Sequence, residues 1–407
     1  MRCRPCRAVF AMFSGLLLVQ TSLVGTLLAL LPALPLLLMP HRNARYVFEW
    51  WSGVICASWV GTAMVIIRVG LGTQIILHFR GGLAVWRELR FTQSPLLIVA
   101  NQRTKLCWAW TWGLALGICR VRGLRVLLVQ ALKHIPGFGW ATQCLGFAFL
   151  RCNLGPSCRE ASEKQLERLR KTICEACCGP APFTLLLFPE GRDVSLHYSQ
   201  VRQPKTGGFA EAWVTLSDVH KLASSKPPVL LDATLGYKDC SPGEVPSAHS
   251  IFVLGRSPAE VHIAIEIAPG RSNLTFMKTL CHELFERKEE RLSSYYATGV
   301  PGALLGGEPS EAVDAVAASL GSVVSGVATF VLLEGLAAGL RLCLGPRMFW
   351  LSASLASLVF VVAGLLGGID GLLLWHAKHW PPRLAREFRV TAQARDVCSE
   401  PTEATAG

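Results

Sequence analysis

The stretch SPLLIVANQRTKLCWAWTW, Ser94–Trp112, decides how the rest of the chain is read. Leu96–Ala100 is an unbroken apolar run of strand length, Asn101–Lys105 is a polar turn, and an aromatic helical pattern follows. Strand, polar turn and helix in succession mark the place where α/β proteins collect anionic ligands, because the first N–H groups of a helix have no partner within it. Leu185–Asp193 (LLLFPEGRD) has the same form. The runs Arg125–Val129, Phe183–Phe188, Val229–Leu235 and Val261–Ile267 join Leu96–Ala100 in alternating with polar helical patterns. That alternation predicts a mostly parallel central sheet wrapped by helices, over residues 81–302. Arg159–Glu175 and Phe276–Tyr296 are the clearest amphipathic helices, and their charge runs, Glu286–Arg291 among them, read as solvated faces.

Outside that block the composition changes. Of 407 residues, 51% are hydrophobic and 17% charged, and mean hydropathy is +0.39, a membrane-protein balance when the apolar residues cluster. They do cluster. Arginines in Met1–Arg7 precede the almost uncharged Ala8–Pro40, which is too long for a signal-peptide core and reads as a signal-anchor transmembrane helix. Trp50–Phe79 is also apolar but contains Arg68, so spanning, re-entering, and lying in the interface with Arg68 on lipid headgroups all stay open. Residues 303–312 read as a Gly/Pro/Glu linker. Val313–Leu340 and Phe349–Trp375 are each long enough to span a bilayer, and a basic, then polar, tail follows. The expected plan is therefore membrane segments in 1–80, an α/β domain in 81–302, a linker in 303–312, two transmembrane helices in 313–376 and a tail in 377–407. Basic residues beside the last span place the tail and the central domain in the cytosol; a glycan on the sequon Asn273-Leu-Thr275 would reverse that.

Forty Lys and Arg against 28 Asp and Glu give a formal charge of +12, which suits anionic lipid headgroups or phosphorylated substrates. The basic residues are not interleaved with aromatics in an RNA-binding signature, so nucleic acid is not an expected partner. Fifteen cysteines are scattered, often inside apolar runs. Cys3-x-x-Cys6 and Cys174-x-x-Cys177 have no second pair at finger distance, so reduced thiols and no metal site are expected.

Taken in order, the polar blocks resemble the phospholipid/glycerol acyltransferase family, and within it the 1-acylglycerol-3-phosphate and lysocardiolipin acyltransferases. The likeness covers roughly Tyr46–Gly299. Ala100–Trp108 (ANQRTKLCW) resembles the family's first block, usually NHRTxxDW. Leu132–Trp140 (LKHIPGFGW) matches its LKxxPGxGW connection, Gly146–Arg151 (GFAFLR) its second block and Phe188–Gly191 (FPEG) its third. Val229–Tyr237 (VLLDATLGY) is similar to the strand leading into the family's VTxxY segment. Leu284–Tyr296 is similar to its W…KE..L..FY close, with Phe285 where Trp is usual. The resemblance implies an α/β acyltransferase-like domain, a central mixed or parallel sheet wrapped by helices, flanked by N- and C-terminal transmembrane helices, with its active face against the bilayer. An endoplasmic reticulum membrane is the expected location. It further implies a His base, oriented by an Asp, that takes the proton of a lysophospholipid hydroxyl as it attacks an acyl-CoA thioester, with acyl-CoA as co-substrate and no cofactor. Arg103, Lys133, Arg151, Phe188, Pro189, Glu190 and Gly191 stand where the family binds phosphate and glycerol.

At the two reacting positions the chain departs from that pattern: Gln102 stands at the base position and Cys107 at the Asp position. A Gln amide takes no proton near neutral pH, and a neutral thiol does not hold an imidazolium. Arg192 also replaces the usual Thr of the third block. The residues leave several readings open. One is a relative that binds phospholipid or acyl-CoA without turnover. A second is an enzyme with another reacting group, His134 as base or Cys107 as a thiolate activated by Arg103 or Lys105. A third is residual transfer by proximity and charge alone. From a different class comes a membrane scaffold or transporter-associated subunit.

Overall fold

A computed structural model describes residues 4–335, apart from 40, 105, 136, 151–158, 191–203, 224–225, 239–246, 309–310, 322, 330 and 334. Its strands are β1 (Gln74–Phe79), β2 (Leu96–Ala100), β3 (Leu124–Val129), β4 (Ala148–Leu150), β5 (Thr184–Leu187), β6 (Val229–Tyr237), β7 (Glu260–Ala268) and β8 (Ala312–Asp314). They form one eight-stranded sheet in the order β4-β3-β5-β2-β6-β7-β1-β8. The first five in that order are parallel. β7 runs antiparallel to β6 and parallel to β1, and β8 runs antiparallel to β1. The sheet is therefore mixed, more so than the alternation of strands and helices suggested. β2 sits between β5 and β6 with all five residues buried, which is why it reads as a continuous apolar run rather than an alternating one.

The helices are α1 (Arg4–Gly25), α2 (Arg42–Ile66), α3 (Gly82–Phe91), α4 (Cys107–Gly117), α5 (Phe138–Cys144), α6 (Arg159–Ala176), α7 (Thr206–Ala223), α8 (Ala248–Phe252) and α9 (Leu274–Thr298). One face of the sheet, presenting Ile98, Ala100, Leu231 and Ile263, packs on Val60 and Met64 of α2 and on Trp110 and Leu114 of α4. The other face, presenting Leu97, Val99, Leu185 and Leu230, packs on Phe209 and Trp213 of α7 and on Leu280 and Leu284 of α9. Asn273 caps α9 by accepting the Phe276 N–H at 3.0 Å.

Two helical stretches, Arg7–Leu37 and Asn43–Leu71, are long and apolar enough to cross a membrane. The first is α1 continued by a π-helical turn (Thr26–Leu30) and a 3-10 helix (Leu31–Leu38); Pro32 and Pro35 lack the N–H groups that a regular α-helix needs there. Neither stretch stands clear of the domain. α1 exposes Val9, Met12, Phe13, Leu16 and Val19 on one side, while Gly15 on the other side lies against Phe252 of α8. Trp51 donates its indole N–H to the Ala29 carbonyl at 2.8 Å, tying the two stretches together.

Four sequence expectations need correction. Trp50–Phe79 is not one apolar segment: the helical part ends at Leu71, Gly72 turns at φ 71°, and Gln74–Phe79 is β1, a buried strand paired with β7. Arg68 does not reach for headgroups; its guanidinium bonds both carboxylate oxygens of Asp314 at 2.5–2.6 Å. Val313–Leu340 does not begin as a transmembrane helix, because Ala312–Asp314 is the edge strand β8. Nor are residues 303–312 a free linker. Leu304 and Leu305 are buried, Glu308 pairs with Arg80, and Glu311 accepts the Leu83 N–H at 2.9 Å. Phe349–Trp375 and the tail lie outside the described residues.

Candidate functional site

Because β2, β3 and β5 are parallel neighbours, the turns that follow them open at one edge of the sheet. These are Asn101–Lys105, Gln130–His134 and Phe188–Gly191. Asn101 ends β2. Its side chain accepts the Leu235 N–H at 2.7 Å and donates to the Leu235 carbonyl at 3.2 Å, so an amide takes the place of one more ladder pair. At the end of β5, the Pro189 carbonyl accepts the Lys205 N–H at 2.8 Å, and Phe188 packs toward the α4-side core. Glu190, only 5% exposed, accepts the backbone N–H of Gln102 on its carboxylate. The acid of the FPEG block therefore closes the turn of the first block. Burial pushes its pKa up to about 7; the Gln102 N–H and the Arg103 charge hold it partly down.

α9 grips the same turn from one face of the sheet. The Arg103 guanidinium bonds both oxygens of Glu289, while its Nε is buried without a partner among the described residues. Lys288 is fully buried. Its ammonium donates to the Val99 carbonyl at 3.2 Å, to the Ala233 carbonyl at 2.7 Å and to Asp232. Burial pulls the Lys288 pKa down, and Asp232 opposes that pull. Arg291 bonds Glu266 at 2.9 Å. The run Glu286–Arg291 is thus a solvated face only in part: Glu286 and Glu290 are exposed, whereas Lys288, Glu289 and Arg291 bond named partners. The signal that could have located two of them is the KE pair of the closing motif, Lys288 and Glu289.

On the opposite face stands Cys107, the first residue of α4. Its sulfur receives the Thr104 N–H at 3.2 Å and lies 3.1 Å from the Tyr237 hydroxyl. Thr104 itself accepts the Leu106 N–H at 3.0 Å, which shapes the entry to the helix. Burial pushes the Cys107 thiol pKa up, the wrong direction for a thiolate nucleophile. His134 is exposed and, among the described residues, its ring makes no hydrogen bond. The Lys133 carbonyl accepts the Gln143 side-chain amide at 3.0 Å. Arg151, Gly191 and Lys105 lie outside the described residues. Sequence reading passed over Asn101, Asp232, Tyr237, Lys288 and Glu289 as site residues, although the quoted blocks contain all of them.

Beside the polar turns lies an apolar aromatic surface. The Trp108 ring meets Trp112 edge-to-face with centroids 4.7 Å apart and lies tilted 5.1 Å from Phe138, and Trp112 meets Trp59 of α2 edge-to-face at 4.8 Å. An open apolar cleft, lined by Thr26, Ile55, Trp59, Trp112, Phe138 and Leu145, runs between these rings and the N-terminal helices. The PGxGW connection shapes its floor. At Gly137 (φ 76°) a Cβ would stand 3.1 Å from the Leu23 backbone, and at Gly139 it would stand 2.3 Å from the Lys133 carbonyl oxygen. Thr26 then donates to the Gly137 carbonyl at 3.0 Å. A charged polar edge beside an aromatic cleft suits a ligand with an anionic head and an apolar tail.

No profile of a known protein family matches the chain. Individual proteins do match. Over 303 residues the chain is 26% identical to lysocardiolipin acyltransferase 1 of Danio rerio, covering 70% of each. Over 300 residues it is 27% identical to lysocardiolipin acyltransferase 1 of Mus musculus, covering 69% of this chain and 72% of that one. It is also 28% identical over 230 residues to the probable 1-acyl-sn-glycerol-3-phosphate acyltransferase 5 of Arabidopsis thaliana, with coverage of 51% and 55%. With the ordered blocks between Ala100 and Tyr296, these matches support one conclusion: the chain is similar to the phospholipid/glycerol acyltransferases, on the side of the lysocardiolipin and 1-acylglycerol-3-phosphate enzymes.

Proposed function

We propose that the protein transfers an acyl group from acyl-CoA to the free hydroxyl of an anionic lysophospholipid, a 1-acylglycerol-3-phosphate or a related acceptor, at a membrane face. The observation that carries this is the Glu190 carboxylate on the Gln102 N–H, which joins the FPEG block to the first block at one edge of the sheet. The aromatic cleft beside that edge supports a place for an acyl tail, and Arg103 and Lys133 support a place for the head. The +12 charge and the two apolar N-terminal helices favour an anionic bilayer surface, with the central domain on the cytosolic side of the endoplasmic reticulum.

The test is an assay of purified protein in lipid nanodiscs, with labelled oleoyl-CoA and a panel of lysophospholipids. Turnover of an anionic acceptor is the expected result, and absence of turnover with every acceptor sinks it. A second reading, a non-catalytic phospholipid or acyl-CoA binder, is favoured by Gln102 together with the neutral, buried Cys107. It predicts that oleoyl-CoA or lysophospholipid binds while no acyl group moves.

A further inference from the structure

We infer that Glu190 is the proton acceptor of acyl transfer in this chain, doing at the floor of the turn what Gln102 cannot do at its surface. The inference rests on the acyl-transfer reading above. Three carboxylates stand near this edge of the sheet. Asp232 is held by Lys288, and Glu289 is held by Arg103. Glu190 alone has no cation within ion-pairing distance among the described residues, and its only hydrogen bond there is the Gln102 N–H. That bond places the carboxylate at the backbone of the residue where the family carries its base. The other titratable groups of the site are less suited. The Cys107 thiol is sealed under Thr104 and Tyr237, and the His134 ring points to solvent.

An ordinary carboxylate is a poor base at neutral pH because it is too acidic. Glu190 is pushed up to about 7, chiefly by burial; Glu289 pushes the same way, and Arg103 and Lys288 pull back. At that value a substantial fraction is ionised near neutrality while the group keeps useful basicity, the compromise that general-base catalysis favours. The step balances as follows. The lysophospholipid hydroxyl oxygen attacks the thioester carbonyl carbon, and its proton passes to the Glu190 carboxylate as the C–O bond forms. The C–S bond then breaks, and the departing CoA thiolate takes the proton back, restoring the carboxylate.

The experiment measures oleoyl-CoA-dependent acylation from pH 5.5 to 8.5 for the natural protein, Glu190→Gln, Glu190→Asp and Glu190→Ala, with oleoyl-CoA binding measured in parallel. The expected profile for the natural protein rises with pH through an apparent pKa near 7 and then levels. Glu190→Gln should lose about 10²–10⁴-fold in kcat, with KM changed by less than about threefold. Added formate should restore turnover to Glu190→Ala, an effect that a purely structural glutamate would not show. Glu190→Asp, which keeps a carboxylate, should keep measurable turnover. A Glu190→Gln variant with undiminished kcat and the natural pH profile overturns the inference alone and leaves the acyl-transfer reading in place. A natural protein that binds oleoyl-CoA but acylates nothing overturns both.

Discussion

The turn after β2 is gripped from both faces of the sheet, and the two grips differ in kind. On the α9 face it is charged: Arg103 is bound by Glu289, and Lys288 is buried on Asp232 and two carbonyls. On the α4 face it is neutral: a thiol, two hydroxyls and a backbone N–H, the Cys107–Thr104–Tyr237 cluster. On the charged side each of these acids holds a cation, so that side positions the turn. The neutral side is where the family sequence pattern puts an acid. Charge has been kept where it holds the fold and dropped where it would serve a histidine. Glu190 lies between the two, an acid without an ion-pair partner among the described residues.

The largest effect belongs to the charged grip. Lys288→Met leaves Asp232 buried without a partner and should cost about 3–5 kcal/mol, measured as a fall in the thermal midpoint in detergent. Adding Asp232→Leu should return most of that loss, because the orphaned charge is then gone. If Lys288→Met is as stable as the natural protein, the α9 grip is not what holds the turn. Next comes the neutral grip. Gln102→His with Cys107→Asp restores base and partner, and the Thr104 N–H and Tyr237 hydroxyl that now face sulfur are ready donors for the new carboxylate. Acyl transfer should rise by about 10²-fold. No change would mean that the neutral side has lost more than two residues.

A smaller effect sharpens the comparison within the α9 face. His78 and His262 sit buried on β1 and β7 with ring nitrogens 3.0 Å apart, and burial followed by mutual repulsion lowers His78 to about 4. A lowered imidazole pKa favours the neutral, folded form. Its contribution is present above the ordinary His value near 6.5 and is lost as pH falls from there toward 4. Stability should drop by on the order of 2 kcal/mol across that window, and His78→Gln should flatten the drop. The smallest effect is Tyr237→Phe, which removes one partner of the thiol. It should cost about 1 kcal/mol and leave the charged grip intact, a difference readable in paired melting curves.

Much of the scaffold was legible because buried strands leave continuous apolar runs: β2, β3, β5, β6 and β7 fall on or within two residues of the runs read for them. β1 was missed for the same reason, since its apolar residues follow directly on an apolar helix and show no alternation. β4 and β8, three residues each, are too short to carry a pattern. At the site, the order of blocks was legible and the pairing was not. Glu289 finds Arg103 across 186 positions, and Tyr237 finds Cys107 across 130, distances over which local periodicity says nothing. Lys288 misled because a lysine inside a run of mixed charge looks solvated until the strand ends that need its ammonium are known.

The seat of α1 on the Gly137 turn has a practical consequence. An expression fragment that begins at residue 41, the natural cut for a soluble catalytic piece, would not simply lose an anchor. It would strip the cover from Phe252, remove Thr26 from the Gly137 carbonyl and Ala29 from the Trp51 indole, and open the aromatic cleft along one side. The N-terminal helices wall the aromatic cleft, so detergent or lipid packed around them acts directly on the shape of that cleft.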